Sequence, residues 1–387
     1  MIKVAMVVDS EQGHFFHTLQ LAQELSKRGH QVTYWSFPEA ERLVRAQGFD
    51  FQPIVATDST EKPDGGRRLF RALIRGQLLD LLVNESRPDV FLTLSIFSTG
   101  ALALRYRYRI PVVLVRTNLT LLSRQEACQL VVEDLMSMST EPLELIQLVK
   151  RAGIKVKSLE ELSSLLLKMP EIAMISRKFE RGEDGEEQGV YYVGGCVNVE
   201  RSDVTFPLET ISSDRKLIYC SSGSQPHLDW DMNVRLFQLV IDSVKRRRDW
   251  QAIIAIGNRI DRSVLRCDAP NVQVTAWAPQ TDILKCASIM ITHGGFNSVR
   301  ECIALGVPMI VFPMRRDQFN VSDRIVQHGV GRKGELLSMT EEMLVTMIED
   351  VMTGRSYREQ LKQMRCEFVR CDVDRMGGII ERAAQGG

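Results

Sequence analysis

Short apolar segments alternate with amphipathic segments twice along this chain, and this alternation constrains the fold more than any other feature. The first half contains five apolar segments that predict strands, in order IKVAMVV, QVTYWS, FDFQPIV, PDVFLTLSI and IPVVLVRT. The second half contains five more, in order KLIYCSSGS, WQAIIAIG, NVQVTAWA, SIMITHGG and PMIVFPM. Because helical segments separate most of these strands, the pattern predicts an α/β protein with two tandem Rossmann-like, doubly wound parallel-sheet domains.

The domain limits follow from length and from a local change in composition. A chain of 387 residues exceeds the usual size of one hydrophobic core, which favours two domains. The segment 198–215 carries a proline with several Ser and Asp residues, as interdomain linkers do. We therefore expect an N-terminal domain over 1–200, a linker over 201–215 and a C-terminal domain over 216–387. The last helices are candidates to pack back on the N-terminal domain.

The helical segments of the first half are predicted with different precision. The pattern predicts helices at about 14–28 and 38–47, a loop over 56–66 and then a long helical stretch to about residue 86. Residues 118–169 have a helical pattern rich in Leu, Met and Glu, without a pair of strands. Two interpretations of this region stay open: it forms the wall of a ligand pocket, or its helices only cover the sheet.

Composition excludes several classes of partner. The chain has 49 basic and 49 acidic side chains and hence no net charge, which argues against nucleic acid as a partner. No apolar run approaches the ~18 residues of a membrane span, and the first residues lack the features of a signal peptide. Eight cysteines are scattered without metal-ligand spacing. We therefore expect a cytoplasmic protein with reduced cysteines and no bound metal.

The stretch from Trp277 to Gln318 contains a predicted phosphate site. An apolar strand, Ser288 to Thr292, runs into a glycine turn and then a helix; the polar candidates around this turn are His293, Gly295, Asn297 and Ser298. A helix that begins after glycines points unpaired backbone N–H groups and a partial positive charge at an anion, which can approach closely. The arrangement suits a diphosphate.

A second glycine turn follows the first strand of the second half. Its candidates are Ser221, Gly223 and Ser224, whose hydroxyl and backbone N–H groups could close over a phosphate from the other side. Such turns are often rich in Ser and Gly, so this signal is weak alone. In doubly wound sheets, ligands lie at the carboxyl ends of the strands, where both turns fall. We therefore expect the site in a cleft between the two halves.

Glu301 and Trp277 each have two open interpretations. Glu301 lies four residues after Asn297, on the same helix face, where a carboxylate could accept both vicinal hydroxyls of a ribose. Alternatively it faces solvent and pairs with Arg300. Trp277 could be a platform for a nucleobase, worth about 1–3 kcal/mol, or a core residue.

The pair Asp317 and Gln318 follows the last strand and offers the mixed acceptors and donor that hexose hydroxyls require, or else it is a charged loop tip. In the first half, His14 follows the first strand and could act as a general base; His17 lies on nearly the same face. The alternative for each histidine is a structural hydrogen bond. No GxGxxG follows the first strand, which disfavours dinucleotide binding there.

With these residues assembled, the chain resembles family 1 glycosyltransferases of the GT-B fold, the UDP-glycosyltransferase-like enzymes that glycosylate small molecules, including bacterial natural products. The resemblance covers nearly the whole chain, and its most specific motifs are WAPQ at 277–280, HGG at 293–295, NS at 297–298, Glu301, GVP at 306–308 and DQ at 317–318.

The resemblance implies a role for each of these residues. Trp277 would stack on the base, Ala278 would meet the base edge, and Gln280 and Glu301 would bind the ribose. The phosphates would contact His293, Gly295, Asn297, Ser298 and Ser224, the sugar would contact Asp317 and Gln318, and His14 would be the base. The reaction would be inverting and metal-free, with UDP- or TDP-hexose as donor and a lipophilic small molecule as acceptor.

One departure from the family pattern affects the base. The family often has an Asp after the fourth strand to orient the histidine, whereas this chain has Leu94, Ser95 and Ile96. Ser95 or Thr93 could substitute, as could Asp9 or Glu11, or the acceptor could be as acidic as a phenol.

Two other functions compete with transfer. A catalytically silent homologue would bind the nucleotide sugar and act as an activator or scaffold, and the missing Asp is its only support. A nucleotide-sugar epimerase would need further carboxylates. The acceptor, the sugar, the base and the oligomeric state stay open, with a homodimer as one expectation.

Overall fold

The computed structural model describes residues 1–10, 12–54, 69–70, 72–73, 77–136, 141–151, 153–156, 159–182, 187–199, 206–223, 226–315 and 317–386. The chain forms two compact units. The first comprises Met1–Ile175, Glu183–Gly194 and Asp372–Gly387; the second comprises Ser176–Gly182 and Gly195–Cys371. The predicted loop at 56–66 lies outside the described residues, as does most of the first half of the predicted linker.

A seven-stranded parallel sheet forms the centre of the first unit, with strand order β3-β2-β1-β4-β5-β6-β7. Its strands are β1 (Lys3–Val7), β2 (Gln31–Ser36), β3 (Asp50–Pro53), β4 (Val90–Leu94), β5 (Val112–Arg116), β6 (Glu171–Ala173) and β7 (Val190–Tyr192). The central strands β4 and β5 are buried at every position, which explains their unbroken apolar sequences.

A six-stranded parallel sheet forms the centre of the second unit, with strand order β10-β9-β8-β11-β12-β13. Its strands are β8 (Lys216–Ser221), β9 (Trp250–Ala255), β10 (Val272–Thr275), β11 (Ile289–Thr292), β12 (Met309–Val311) and β13 (Gly331–Lys333). This order reverses direction between the neighbours β8 and β11. The carboxyl ends of these two strands therefore form the topological switch point, the usual ligand site of such sheets.

The helices lie between successive strands, so that the predicted fold class, two doubly wound parallel-sheet units, is confirmed. The helices of the described residues are α1 (Gln12–Lys27), α2 (Glu41–Ala46), α3 (Gln77–Ser86), α4 (Ser98–Tyr108), α5 (Arg124–Met136), α6 (Glu141–Arg151), α7 (Leu159–Leu167), α8 (Arg177–Arg181), α9 (Trp230–Lys245), α10 (Gln280–Cys286), α11 (Phe296–Leu305), α12 (Gln318–Gln327), α13 (Glu341–Thr353), α14 (Arg355–Val369) and α15 (Val373–Gln385).

The structure refines three of the expected helices. The helix expected from about residue 38 begins as a 3₁₀ turn, Pro38–Ala40, because proline suits a first helical position, and α2 follows it directly. The last helix, α15, belongs to the first unit, where Arg28 forms an ion pair with Asp374, whereas α14 stays in the second unit. The described part of 118–169 is helical, as predicted.

A short segment after Gly194 closes the second unit against the end of α14. The backbone N–H groups of Gly195, Cys196 and Val197 donate to carbonyl groups of residues 367, 370 and 368. A Cβ atom at Gly195 would lie 2.5 Å from the Cα atom of Phe368, so only glycine permits this approach. Cys196 also forms a disulfide with Cys371, so the expectation of reduced cysteines is wrong for this pair.

Helix α11 ends at Gly306, whose φ of 74° lies in the left-handed region. No atom lies within 4 Å of where a Cβ atom would be, so conformational strain alone should set the effect of a substitution. We expect Gly306→Ala to lower the free energy of unfolding in urea by about 1 kcal/mol, and Gly306→Asn by less, because Asn tolerates this conformation. Equal losses for the two variants would contradict this assignment.

Candidate functional site

The glycine turn after β11 is built around the ring of His293. Gly294 has a φ of 87°, and a Cβ atom there would lie 2.7 Å from Cγ1 of Val311. A Cβ atom at Gly295 would lie 2.6 Å from both Cε1 and Nε2 of His293. The two glycines therefore let the chain turn from β11 into α11 with the imidazole held against the backbone.

The turn after β8 meets the same imidazole. Gly223 has a φ of 73°, and a Cβ atom there would lie 3.1 Å from Cε1 of His293. The Oγ of Ser221 accepts a hydrogen bond of 3.3 Å from the N–H of Gly223. Thus the structure brings together both predicted phosphate turns, at the switch point between β8 and β11. Ser224 lies outside the described residues.

The hydroxyl of Ser222 belongs to the predicted phosphate turn, residues 221–224, but was not singled out there as a ligand. Its Oγ is buried and has no hydrogen-bond partner among the described residues, at a position between Ser221 and Gly223. A buried hydroxyl without a partner costs free energy, which a bound acceptor or donor would recover. The spacing of the turn could have indicated this residue, which has the same chemistry as its serine neighbours.

His293 is uncharged at neutral pH. Burial of its ring away from water and, to a smaller extent, the charge of Arg315 lower its pKa to about 4. Its Nδ1 lies 3.3 Å from Oγ1 of Thr292. The residue keeps partial exposure to solvent, where a ligand could reach it. A neutral imidazole can donate one N–H to an anion but contributes no net positive charge.

The predicted nucleoside residues form a connected group on α10 and α11. Nε2 of Gln280 donates to Oε2 of Glu301 at 2.6 Å and to Oγ of Ser298 at 3.2 Å. Glu301 is only 9% exposed, so it does not face solvent. The neighbouring Arg300 is buried too: its guanidinium donates to the carbonyl of Gly195, and the charge of Glu301 raises its pKa against the larger lowering by burial.

The start of α10 places the other nucleoside candidates. Trp277 is 39% exposed, so it is not a core residue, and its carbonyl accepts a hydrogen bond of 2.9 Å from Oγ1 of Thr275. Ala278 is buried beside it. An exposed indole three residues before Gln280, which itself donates to Glu301, could provide the apolar platform and the hydroxyl acceptors of a nucleoside site.

The predicted sugar residues close the turn after β12. Oε1 of Gln318 accepts hydrogen bonds from the N–H groups of Met314 and Arg315, at 2.8 and 3.0 Å. Asp317 is partly buried just before it, so the pair is not an exposed loop tip. A Cβ atom at Gly294 would lie 3.4 Å from the carbonyl oxygen of Gln318. This turn therefore packs directly on the glycine turn.

Arg315 and Asp229 form an ion pair that the sequence did not reveal. Nε of Arg315 lies 2.9 Å from Oδ2 of Asp229, which ends the short 3₁₀ turn Pro226–Asp229 before α9. The pair joins the loop after β12 to the loop after β8. Position at the carboxyl end of β12 was the only available signal for Arg315, since ion pairs between distant loops leave no local pattern.

The first unit contains the predicted base, His14, and the two hydroxyl groups that are candidates to orient it. His14 is the third residue of α1, and the side chains of His14 and His17 lie outside the described residues. Thr93 donates to the carbonyl of Val7 at 2.9 Å. The Oγ of Ser95 is buried without a hydrogen-bond partner among the described residues, and the hydroxyl of Thr93 keeps its capacity to accept a hydrogen bond.

A cavity of about 150 Å³ opens at the ends of β4 and β5 in the first unit. A cavity of this volume holds about one benzene ring. Ser95, Ile96, Leu122 and Cys128 line it together with the buried ion pair of Arg116 and Glu171, whose Nε and Oε1 atoms are 2.6 Å apart. Residues 118–131 contribute much of the wall, which favours the interpretation of this region as part of a pocket.

In the described part of the chain, no three His, Cys, Asp or Glu side chains converge as metal ligands. No helix in the same residues has the length and apolar character to cross a bilayer.

Two parts of the chain match known protein families. Residues 264–370 match the UDP-glucoronosyl and UDP-glucosyl transferase family, a match that includes every candidate from Trp277 to Gln318. Residues 13–120 match Glycosyltransferase Family 4.

Similar proteins extend these matches to the whole chain. The NDP-glycosyltransferase YjiC of Bacillus subtilis (strain 168) is 24% identical over 99% of this chain and 96% of its own length. Oleandomycin glycosyltransferase of Streptomyces antibioticus is 25% identical over 94% and 87%. The solved structure of the glycotransferase of kitacinnamycin has the same fold, with a TM-score of 0.77 at 24% identity, and covers 99% of this chain and 97% of that chain.

The lowered pKa of His293 predicts a pH dependence of stability. Between pH 6.5 and about 4 the unfolded imidazole binds a proton that the folded one does not, so stability is lost as the pH falls through this range. We expect the wild type to lose more free energy of unfolding than His293→Gln when urea unfolding is repeated at pH 6.5 and 4.5. The same loss in both proteins would contradict the assignment.

Proposed function

We propose, from the premise that this chain is a glycosyltransferase of the GT-B fold, that it transfers a hexose from a UDP- or TDP-sugar to a hydroxyl group of a lipophilic small molecule. One observation carries the proposal. The glycine turns after β8 and β11 both pack against the ring of His293 at the switch point of the second unit, where a diphosphate could accept hydrogen bonds from their backbone N–H groups.

The nucleoside group supports the donor assignment. Trp277 offers an exposed face for the base, and the backbone of Ala278 follows it at the base edge. Glu301, which accepts a hydrogen bond from Gln280, would also accept hydrogen bonds from the ribose hydroxyls. Asn297 and Ser298 lie in the first turn of α11, where their side chains could join the helix N–H groups around the phosphates. Asp317 and the amide nitrogen of Gln318 would contact the hydroxyl groups of the sugar.

The proposed reaction is a direct displacement at the anomeric carbon. The acceptor oxygen forms a bond to this carbon as the bond to the diphosphate oxygen breaks, which inverts the configuration. His14 takes the proton of the acceptor hydroxyl, a contribution of typically about 10²–10⁴ in rate. We propose that no metal ion takes part, because the N-terminus of α11 points partial positive charge at the leaving diphosphate.

The cavity in the first unit suits part of an acceptor. Its volume matches one ring, and the apolar side chains of Ile96 and Leu122 at its wall are 46% and 36% exposed. The relative named for oleandomycin supports an acceptor from natural-product metabolism, such as an antibiotic precursor. A phenolic hydroxyl would need the least help from the base, which fits the lack of an Asp near Ser95.

The alternative function is a silent homologue that binds the nucleotide sugar and acts as an activator or scaffold. The lack of an Asp after β4, where the chain has Leu94, Ser95 and Ile96, is its only support. Incubation with UDP-glucose, TDP-glucose and a panel of phenols separates the two functions by mass. Transfer supports the enzyme, and donor binding without any transfer supports the silent homologue.

Trp277→Ala tests the donor site without requiring an acceptor. Ligand at about 100 times its dissociation constant stabilises a protein by about 2.7 kcal/mol, so saturating UDP should raise the melting temperature of the wild type. We expect Trp277→Ala to abolish this increase, because the base loses its platform. Trp230→Ala, which removes an indole of similar exposure (42%), is the matched control and should keep it. A full increase in Trp277→Ala would refute stacking.

His14→Ala tests the base. Once an acceptor is known, we expect this variant to lose transfer by a factor of about 10² or more while its UDP-induced increase in melting temperature is unchanged. His17→Ala is the control. Full turnover by His14→Ala, with loss in His17→Ala, would move the role to His17; full turnover by both would show that neither histidine is the base.

A further inference from the structure

The proposed reaction leaves a charge that the predicted residues do not balance. A departing nucleoside diphosphate is a polyanion, and the N-terminus of α11 supplies about half a positive charge. His293 is neutral near pH 7, so it adds a hydrogen-bond donor but no charge. This inference rests on the proposed function and asks which residue of the second unit supplies a full positive charge to the diphosphate.

Arg315 lies at the same edge of the sheet as the glycine turn around His293. It follows β12, the neighbour of β11, and both strands end at the same edge. The side chain of Gln318 closes the turn that carries Arg315, and the backbone of the same residue packs on Gly294. The position of Arg315 is therefore fixed by direct contact between its own turn and the turn around His293.

The described residues of the loops that follow β8, β11 and β12 contain no other Lys or Arg. Burial is the larger cause of the low pKa of His293, but the second is the charge of Arg315, so this charge already acts on the phosphate turn. Guanidinium is also the side-chain group whose fork of N–H donors best matches phosphate oxygens.

The contact with Asp229 provides a partner while no ligand is bound. The side chains of Arg315 and Asp229 are 29% and 23% exposed, so water reaches both groups. A partly exposed ion pair can exchange one anion for another at a smaller cost than a fully buried pair.

We propose that Arg315 binds the diphosphate of the donor, leaving Asp229 for the phosphate oxygens, and stabilises the negative charge that develops as the sugar is transferred. Asp229 holds the guanidinium at the site before the donor arrives. It also competes with the diphosphate, so the product nucleotide binds less tightly than it would to an unpaired arginine.

Binding of UDP and of uridine separates charge recognition from a structural role. We expect Arg315→Met to weaken UDP binding, measured by calorimetry, at least about tenfold, because charge-assisted hydrogen bonds are lost. Uridine binding, followed by saturation-transfer NMR, should be unchanged, since uridine has no phosphate. Arg315→Lys should recover part of the UDP affinity. Equal losses for UDP and uridine would mean that Arg315 only shapes the turn, and would overturn the proposal.

Two further variants complete the test. Arg332 forms a similar ion pair with Asp350, at 3.0 Å, away from these loops, so Arg332→Met should bind UDP as the wild type does. Asp229→Asn removes the competing anion and should bind UDP at least as tightly as the wild type. A loss in Asp229→Asn as large as that in Arg315→Met would overturn the exchange of partners.

Failure of this inference can be told from failure of the proposed function. If the wild type binds neither UDP nor TDP, the proposed function and the role of Arg315 both fail. If the wild type binds UDP and Arg315→Met binds it equally well, only the role of Arg315 is refuted.

Discussion

The contact between the imidazole of His293 and two backbone turns is the constraint on which the second unit's candidate site depends. Gly223 and Gly295 approach the ring so closely that a Cβ atom at either position would crowd it. This packing sets the spacing between the loops after β8 and β11. The same enclosure keeps the imidazole neutral, so in the proposed function the positive charge at the site would come from the helix end and from Arg315.

Helix α11 is also held from the opposite side. The buried guanidinium of Arg300 donates to the carbonyl of Gly195, and burial lowers its pKa to about 10. A buried charge is costly unless its partners are well placed, and here Glu301, the predicted ribose ligand, is its neighbour in sequence. The helix that carries Asn297, Ser298 and Glu301 is thereby tied to the segment that the disulfide Cys196–Cys371 closes. The position of the nucleotide residues thus depends on contacts at both ends of the second unit.

Much of this arrangement could be predicted from the sequence because it is written locally. The alternation of apolar strands and helices predicts five strands of each parallel sheet but not the three-residue strands β6, β7 and β13. A strand followed by glycines and a helix predicts the turn at 293–298. Gln280 lies within hydrogen-bond distance of both Ser298 and Glu301, as the nucleoside assignment requires. Their roles in binding stay predictions.

Contacts between segments far apart in the chain could not be predicted. Cys196 and Cys371 are separated by 175 residues, and the ion pair of Arg315 with Asp229 joins two loops of different strands. Glu301 illustrates the same limit: its spacing from Asn297 was informative, but only the packing of α10 on α11 shows that Gln280 donates to it. Such pairs leave no periodic signal in a single sequence.

Amide hydrogen exchange across β11 and α11, with and without saturating UDP or TDP, tests the central claim most directly. The first N–H groups of a helix have no partners within the helix and exchange readily unless a ligand accepts from them. The account predicts that the nucleotide slows exchange most in the first turn of α11, from Phe296 to Val299. Unchanged exchange in that turn, while calorimetry shows the nucleotide bound, would place the diphosphate elsewhere and contradict the account.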